Sequence, residues 1–381
     1  MARKTNKTAA KTNSERKIRF AIVGCGRIGI RHVEHIVNNK RAQLIAVCDI
    51  VKEKADALAQ KYGVKAFYDY DDMLKLKKGF DVVNVCTPSG LHAVMSIKGL
   101  KKGFHVLCEK PMTLNLVDAE SIIKAEKESG KKFFLVKQNR YNPPIKVLKN
   151  AVYNNKLGKI NMINCNVHWN RRKQYYDEAD WRGTMKLDGG ALMTQCSHFL
   201  DLMVWIGGKV KSVSANMFNL NHDYVETEDT GIITLVFENG AIGTLHYTTA
   251  VYNKNLEGSM TVLGEKGTIK VGGEYINVLE FWSVEGMEKP ELEPGNPAND
   301  YGTYKGSMSN HDKVIENVVR VLLDGEQIAT NSLQGRDSIE IMQAAYISAL
   351  KNKPIRLPLK GDDYDFKLDE QPPLSGNKKR V

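Results

Sequence analysis

No stretch of this 381-residue chain approaches the ~20 consecutive apolar residues that a membrane-spanning helix needs. The six cysteines (25, 48, 86, 108, 165, 196) form no CxxC pair and no Cys/His set at zinc spacing. That pattern excludes a zinc module, suggests no other metal site, and fits a reducing, cytoplasmic protein without structural disulfides. Residues 1–17 are basic but have no apolar core of a secretory signal, and read as a disordered tail. The net charge of +11 is concentrated at the ends, with +5 in residues 1–17 and +3 in Lys378-Lys379-Arg380. Only +3 is left for the body, and no basic helix interleaved with aromatics occurs there, so no nucleic-acid partner is expected.

What remains is a soluble composition, 42% hydrophobic and 26% charged, at a length that suits two domains. The apolar run 18–23 leads at once into Gly24-Cys25-Gly26-Arg27-Ile28-Gly29 and then a helical stretch to about Asn39. Strand, G-x-G-x-x-G and helix together cradle a dinucleotide pyrophosphate. The first glycine permits the turn, the second admits the phosphate, and the third lets helix pack on strand. A second strand, 43–48, ends in Asp49, twenty residues beyond Gly29. An acid there accepts ribose hydroxyls and repels a 2′-phosphate, and the following Ile50 offers no cation, so the cofactor reads as NAD.

Alternation continues through helix 52–62, a strand near 66–68, a helix from Asp71 and the doubly buried strand 80–86. That strand delivers Thr87-Pro88-Ser89-Gly90-Leu91-His92 to the carboxyl edge, where open α/β sheets bind ligands. Strand 104–108 delivers Glu109-Lys110-Pro111 to the same edge, and strand 133–136 ends in Gln138-Asn139-Arg140-Tyr141. Residues 18–140 therefore read as a complete doubly wound Rossmann domain.

After Asn142-Pro143-Pro144 and a helix to about Asn154, the hydrophobic period changes to 2. Segments 159–170, 210–219, 230–238, 241–252, 259–263, 268–271 and 275–282 read as strands, with an Asn239-Gly240 hairpin. Residues 141–360 are thus an α+β domain with a large, predominantly antiparallel sheet for substrate binding and oligomerisation. Residues 289–309 look like a loop over a site, helices follow near 311–323 and 336–350, and 361–381 read as a polar tail. A sheet face without covering helices suggests a homotetramer or homodimer.

One helix in this second part stands out. Residues 188–208 begin with Asp188 in an N-cap position before Gly189-Gly190 and stop at Gly207-Gly208. Helical spacing puts Thr194, His198, Asp201 and Trp205 on one face, with Leu192, Met193, Cys196, Phe199, Leu200 and Met203 packing around them.

The Gly24–Gly29 loop, Asp49, the Thr87-Pro88 turn, Glu109-Lys110-Pro111 and Gly189-Gly190…His198-x-x-Asp201 resemble the glucose–fructose oxidoreductase/inositol dehydrogenase (Gfo/Idh/MocA) family over residues 18–360. The resemblance implies that Lys110 and His198 are catalytic, meeting at the nicotinamide ring and handling the hydroxyl that is oxidised. It implies a cofactor groove of Gly24, Gly26, Arg27, Ile28, Gly29, Asp49, Ile50, Thr87, Ser89, His92, Glu109, Lys110 and Gln138. Many members bear Asp four residues before the histidine, where this chain has Thr194.

A narrower likeness lies in Tyr175-Tyr176-Asp177, Trp181-Arg182-Gly183-Thr184 and Asp188-Gly189-Gly190-Ala191-Leu192-Met193, with Leu263-Gly264-Glu265-Lys266-Gly267-Thr268. These resemble UDP-N-acetylglucosaminuronate 3-dehydrogenases of surface-polysaccharide biosynthesis, and imply a sugar-nucleotide substrate oxidised at C3. Substrate contacts would come from Lys110, Asn139, Arg140, Tyr176, Trp181, Arg182, Thr194, Gln195 and His198. A cyclitol or free-sugar dehydrogenase, an NAD-dependent glycosidase and a non-catalytic NAD sensor are the alternatives. Oxidising a secondary alcohol needs a hydride acceptor, a proton acceptor and a donor to steady the alkoxide. His198 suits the second role at neutral pH, and Lys110, its pKa lowered beside a cationic ring, suits the third.

Overall fold

The computed structural model describes residues 16–76, 79–302 and 304–372. The basic segment 1–15 and the end 373–381 lie outside them.

The first sheet holds β1 (Ile18–Val23), β2 (Ala42–Cys48), β3 (Lys65–Phe67), β4 (Val82–Val85), β5 (His105–Cys108) and β6 (Phe133–Leu135). All six are parallel in the order β3-β2-β1-β4-β5-β6. Between them run α1 (Arg27–Asn38), α2 (Lys52–Tyr62), α3 (Tyr70–Leu74), α4 (His92–Lys101) and α5 (Leu116–Ser129). Every residue of β4 is buried, as helices on both faces require. The strand order reverses between β1 and β4, and a crevice opens there at their carboxyl ends.

The second sheet begins after α6 (Pro143–Tyr153) with β7 (Ile160–His168). A short α7 (Lys173–Asp177) and the helix α8 (Ser197–Gly207) precede β8 (Val210–Phe218), β9 (Thr230–Phe237) and β10 (Ile242–Thr248). Then come β11 (Glu257–Gly264), β12 (Gly267–Gly272), β13 (Val278–Val284) and the pair β14 (Ala298–Asp300) and β15 (Lys305–Met308). The chain ends with α9 (His311–Asp324), α10 (Ser332–Lys351) and β16 (Ile355–Arg356). The large sheet runs β13-β12-β11-β7-β10-β9-β8-β16, antiparallel except where β10 pairs β7. Asn239-Gly240 turns the chain between β9 and β10, with Gly240 at φ +87° and Phe237 N donating to Ala241 O at 2.9 Å.

In β9, Ile233, Leu235 and Phe237 are buried in the core shared with α8, while Ile232 is 51% exposed. The outward face of the sheet also carries Val236 and Ile242, which are exposed.

Four expectations need correction. Helix α9 is not part of the second unit's packing: Val314, Ile315, Val318 and Val319 complete the core formed by α1, α2 and β1. The apolar stripe of α1 needed a second helix, and the chain returns to supply it. Residues 289–309 are not all loop, because β14 and β15 pair antiparallel. Helix α10 starts four residues early, at Ser332, because Asn331 and Gln334 form a capping box. Finally, 361–372 are not tail: Leu368 is 3% exposed, and Gln343 Nε2 donates to the carbonyls of Asp363 (2.7 Å) and Tyr364 (3.1 Å).

A chain ending at residue 360 should therefore lose at least about 2 kcal/mol, the burial of Leu368 alone. Denaturant unfolding of the shortened and full chains measures the difference.

Candidate functional site

The crevice is built first by glycine. Gly24 sits at φ +96°, and a Cβ there would lie 2.4 Å from Cys86 O. A Cβ on Gly29 would lie 1.9 Å from Gly24 O, so helix and strand could not close. A Cβ on Gly26 would meet nothing within 4 Å, so the space above it is open. Gly26 also stands before α1 with no side chain capping the helix. Open space beside free helix N-terminal amides suits a pyrophosphate, and the residues present fit a dinucleotide. Asp49 closes the end of β2 over this loop: its Oδ2 accepts from Cys25 N (2.7 Å) and its Oδ1 from Val51 N (2.9 Å). Beside it Ile50 is 89% exposed, an apolar surface left for a flat partner. Arg27 pairs with Glu178 at 2.8 Å, linking the loop to the second domain.

Not every residue expected in the groove is free to face it. His92 is buried with Nδ1 2.7 Å from Pro111 O and Nε2 2.9 Å from Thr87 O. It ties the two turns together from behind. Ser89 starts the turn before α4, and Thr87 Oγ1 is buried without a hydrogen-bond partner.

Glu109 turns toward α1 and α9. Its Oε1 lies 2.7 Å from His32 Nε2 and 3.6 Å from His311 Nε2, while Oε2 accepts from Lys110 N at 3.1 Å. Burial would raise this carboxyl, yet the adjacent imidazoles of His311 and His32 hold it well below the usual carboxylate range. These three groups could in principle hold a metal ion. The 2.7 Å contact, however, is that of a hydrogen-bonded pair, whose atoms are committed to each other.

Lys110 reaches across to α8. Its Nζ donates to Thr194 O at 2.8 Å. That carbonyl lies in a π-turn, Leu192–Cys196, that precedes α8. A π-turn displaces the regular i+4 ladder and often marks a functional site. Burial lowers the Lys110 pKa, with Glu109 and Asp188 opposing the shift. His198 follows the turn, 4% exposed, with Nε2 3.2 Å from Gln138 Nε2 and Nδ1 unpartnered. Burial first, then the charges of Lys110 and Lys137, push its pKa well below that of an ordinary imidazole. The result is a neutral ring that can accept a proton, beside an ammonium that can donate a hydrogen bond.

The π-turn is held by a carboxyl that sequence reasoning missed. Asp188 does not cap the helix; its Oδ2 accepts from Gly183 N at 2.7 Å. Glu228, 1% exposed, does so instead, accepting from Leu192 N at 2.7 Å and from Tyr346 OH at 3.0 Å. Burial pushes its pKa up to about 8. Gly190 must be glycine, because a Cβ would stand 2.3 Å from Glu228 Oε2. No local pattern joins residue 228 to residue 192; only the β9 register brings them together.

Among the expected substrate contacts, Asn139 is 1% exposed and both polar atoms of its side chain are unpartnered. Thr194 Oγ1 donates to Gly190 O at 2.8 Å, and Gln195 Nε2 donates to Tyr175 OH at 3.0 Å. Tyr175, rather than Tyr176, faces this cluster. The Arg182 guanidinium lies 4.0 Å from the Tyr175 ring centroid, whereas Tyr176 packs on His222 and Tyr224. Trp181 lies 5.6 Å from the same guanidinium. Arg182 and Arg171 each bury an unpartnered Nε, while the exposed Arg172 is bound to Asn253.

Arg140 leaves the substrate list. Its Nε and Nη2 fork onto Asp201 at 2.8 Å each, and Nη1 lies 3.3 Å from Ala329 O and Gln334 Oε1. A guanidinium so occupied is structural.

Two family models cover the chain: the NAD-binding Rossmann fold of the Gfo/Idh/MocA oxidoreductase family over residues 18–137, and the Gfo/Idh/MocA C-terminal domain over residues 145–270. The WlbA dehydrogenase of Bordetella pertussis, solved with NADH and UDP-GlcNAcA, is 38% identical with a TM-score of 0.81, over 91% of this chain and 100% of that one. The WlbA dehydrogenase of Chromobacterium violaceum, solved with the same two molecules, is 37% identical with a TM-score of 0.83, over 91% and 98%. A myo-inositol 2-dehydrogenase of Thermotoga maritima is 29% identical over 66% of this chain and 74% of its own length.

Replacing Arg140 with Ala should cost about 3–5 kcal/mol, the usual loss when one partner of a buried ion pair is removed. The substrate KM of whatever folded protein remains should change little. A thermal melt beside steady-state kinetics separates this from a substrate contact, which would raise KM and leave the melt alone.

Proposed function

The chain belongs to the Gfo/Idh/MocA oxidoreductase family and is an NAD-dependent oxidoreductase; from that premise we propose that it oxidises C3 of UDP-N-acetylglucosaminuronate to the 3-keto sugar. The observation that carries the reading is a pair of arginines, Arg171 buried and Arg182 partly buried, near the candidate catalytic groups. Contacts run without a break from Lys110 to Thr194, through the adjacent Gln195 to Tyr175, and on to Arg182. Arg171 lies 5.5 Å from the same Tyr175 ring and 4.7 Å from Tyr304. Arg182 already meets Glu178 at 3.1 Å, but Arg171 has no carboxylate partner among the described residues and both Nε atoms are buried and unpartnered, an arrangement that suits a carboxylate or diphosphate better than an uncharged cyclitol. Both WlbA structures contain such a molecule, UDP-GlcNAcA.

Bound NAD supplies the hydride acceptor. His198 accepts the proton of the C3 hydroxyl as the C–H bond yields its electron pair and the carbonyl forms. Lys110 exchanges Thr194 O for the substrate oxygen and steadies the charge developing on it. Asn139 has a free amide to orient a further hydroxyl. The exposed Ile232, Val236 and Ile242 on the open sheet suit a second copy of the chain, in keeping with a homo-oligomer.

An inositol-type reaction is the second reading, favoured by the Thermotoga maritima relative. Incubation with UDP-N-acetylglucosaminuronate, UDP-N-acetylglucosamine and myo-inositol, followed by absorbance of reduced nicotinamide, separates the two. Turnover of the uronate alone is expected; turnover of myo-inositol would overturn the proposal. On the accepted substrate, Lys110→Met and His198→Asn should each lower turnover roughly 10²–10⁴-fold. NAD affinity should hold, and the double variant should lose far less than the product of the two.

A further inference from the structure

Beneath His198 the fold buries more positive charge than negative. Asp201 lies one turn further along α8, and the Arg140 fork takes both of its oxygens. Lys137, at the end of β6 and 2% exposed, approaches Asp201 only to 3.8 Å and donates instead to Ser197 O at 3.2 Å. Two buried cations therefore share one anion. The residue after Lys137 is Gln138, whose amide touches the His198 ring at 3.2 Å. The end of β6 thus grips the imidazole turn at two points, one on its backbone and one on its ring.

We propose that Lys137 is a positioning residue for the reaction: its buried ammonium fixes the first turn of α8 through Ser197 O, and its charge, shared with Arg140 over the single carboxylate of Asp201, helps keep His198 neutral. Lys110 cannot hold that charge steady, because in the proposed reaction it moves from Thr194 O to the substrate oxygen. Lys137 touches only groups that stay in place.

The charged groups around the imidazole come from four elements. Lys110 and Glu109 face it from the β5 turn, and Lys137 from the β6 turn beside Arg140. His311 faces it from α9, and Asp201 lies on α8 itself. Glu109 favours a charged imidazole but is engaged by His32 and His311, and Asp201 is taken up by the Arg140 fork. Burial lowers Lys137 itself to about 8, with Asp201 opposing and Arg140 and Lys110 adding to the shift. Below pH 8 the ammonium therefore persists.

The inference rests on His198 being the proton acceptor, so its test reads the ring and not turnover. The full chain is labelled with ¹³C/¹⁵N-histidine, and the His198 signal is identified by its loss in His198→Asn. In the wild-type protein the ring should titrate well below an ordinary imidazole. In Lys137→Met, and in Lys137→Gln, which keeps a donor for Ser197 O, it should titrate about one pH unit higher or more. Lys137→Arg, which restores the charge, should return the wild-type behaviour. Should the neutral variants not fold, wild type and Lys137→Arg still decide. The wild-type signal should step near pH 8 as the ammonium is lost, also in Lys110→Met, and the step should vanish in Lys137→Arg. An unchanged titration in the neutral variants, an equal shift in Lys137→Arg, or no step in wild type overturns the proposal. A confirmed shift in a protein inactive on every UDP-sugar would defeat the substrate reading and leave this one standing.

Discussion

The site depends on one hydrogen bond across the seam between the two sheets, from Lys110 Nζ to Thr194 O at 2.8 Å. A regular α-helix would commit that carbonyl to its own ladder. The π-turn over Leu192–Cys196 shifts the ladder register there, and the lysine donates to a carbonyl within it. Everything upstream makes the displaced turn affordable. Gly189 and Gly190 take φ of +85° and +99°, values that side chains resist, and Glu228 receives the amide of Leu192. Tyr346 OH then ties Gly189 O to Glu228, so α10 supports the same corner. Lys110, which in the proposed reaction moves to the substrate, is held meanwhile by a backbone carbonyl that carries no formal charge.

The same seam explains why so many ionisable groups can be buried without collapse of the fold. An isolated charge in a dry interior is costly, and the buried carboxylates Asp201 and Glu109 are each answered by specific neighbours. Asp201 lies beneath the Arg140 fork, and against the burial that would raise its pKa, Arg140 and Lys137 hold it low. Glu109 lies between His32 and His311, the latter carried by a helix some two hundred residues further along the chain. Helix α9 thus does two jobs: it fills the apolar face beside α1, and it brings an imidazole to the carboxylate preceding Lys110. The domains are joined through their chemistry as well as their packing.

The Rossmann half was legible because its signals are local. Glycine spacing, an acid at the end of β2 and doubly apolar strands are each set by a few consecutive residues and one short-range constraint. The hairpin at Asn239-Gly240 was legible for the same reason. The rest depended on partners distant in sequence. Asp188 had the right residue type for an N-cap, but Gly183 N lay nearer and a carboxyl forty residues on, Glu228, took the cap. Arg140 and His92 had the right chemistry at the right sheet edge, and only their side-chain directions show them bound to Asp201 and to two turn carbonyls. Tyr176 and Tyr175 are neighbours on a short helix, where no pattern tells which ring turns inward.

The substitution at position 194 acquires a physical sense from this arrangement. The family pattern this chain resembles would place an aspartate carboxylate there, four residues before the histidine. In this chain Thr194 spends its hydroxyl on Gly190 O and offers only its carbonyl to Lys110. A carboxylate at that point would pair with the lysine and add negative charge beside Gln195, Tyr175 and Arg182, the contacts that lead to the anion-binding arginines. Like charges in a buried site repel strongly, so the aspartate would work against an anionic substrate while suiting a neutral cyclitol. Threonine removes that repulsion. On the proposed reading, Arg171, Arg182 and the neutral residue at 194 would be two halves of one adjustment, suiting a family scaffold for alcohol oxidation to a substrate that carries charge.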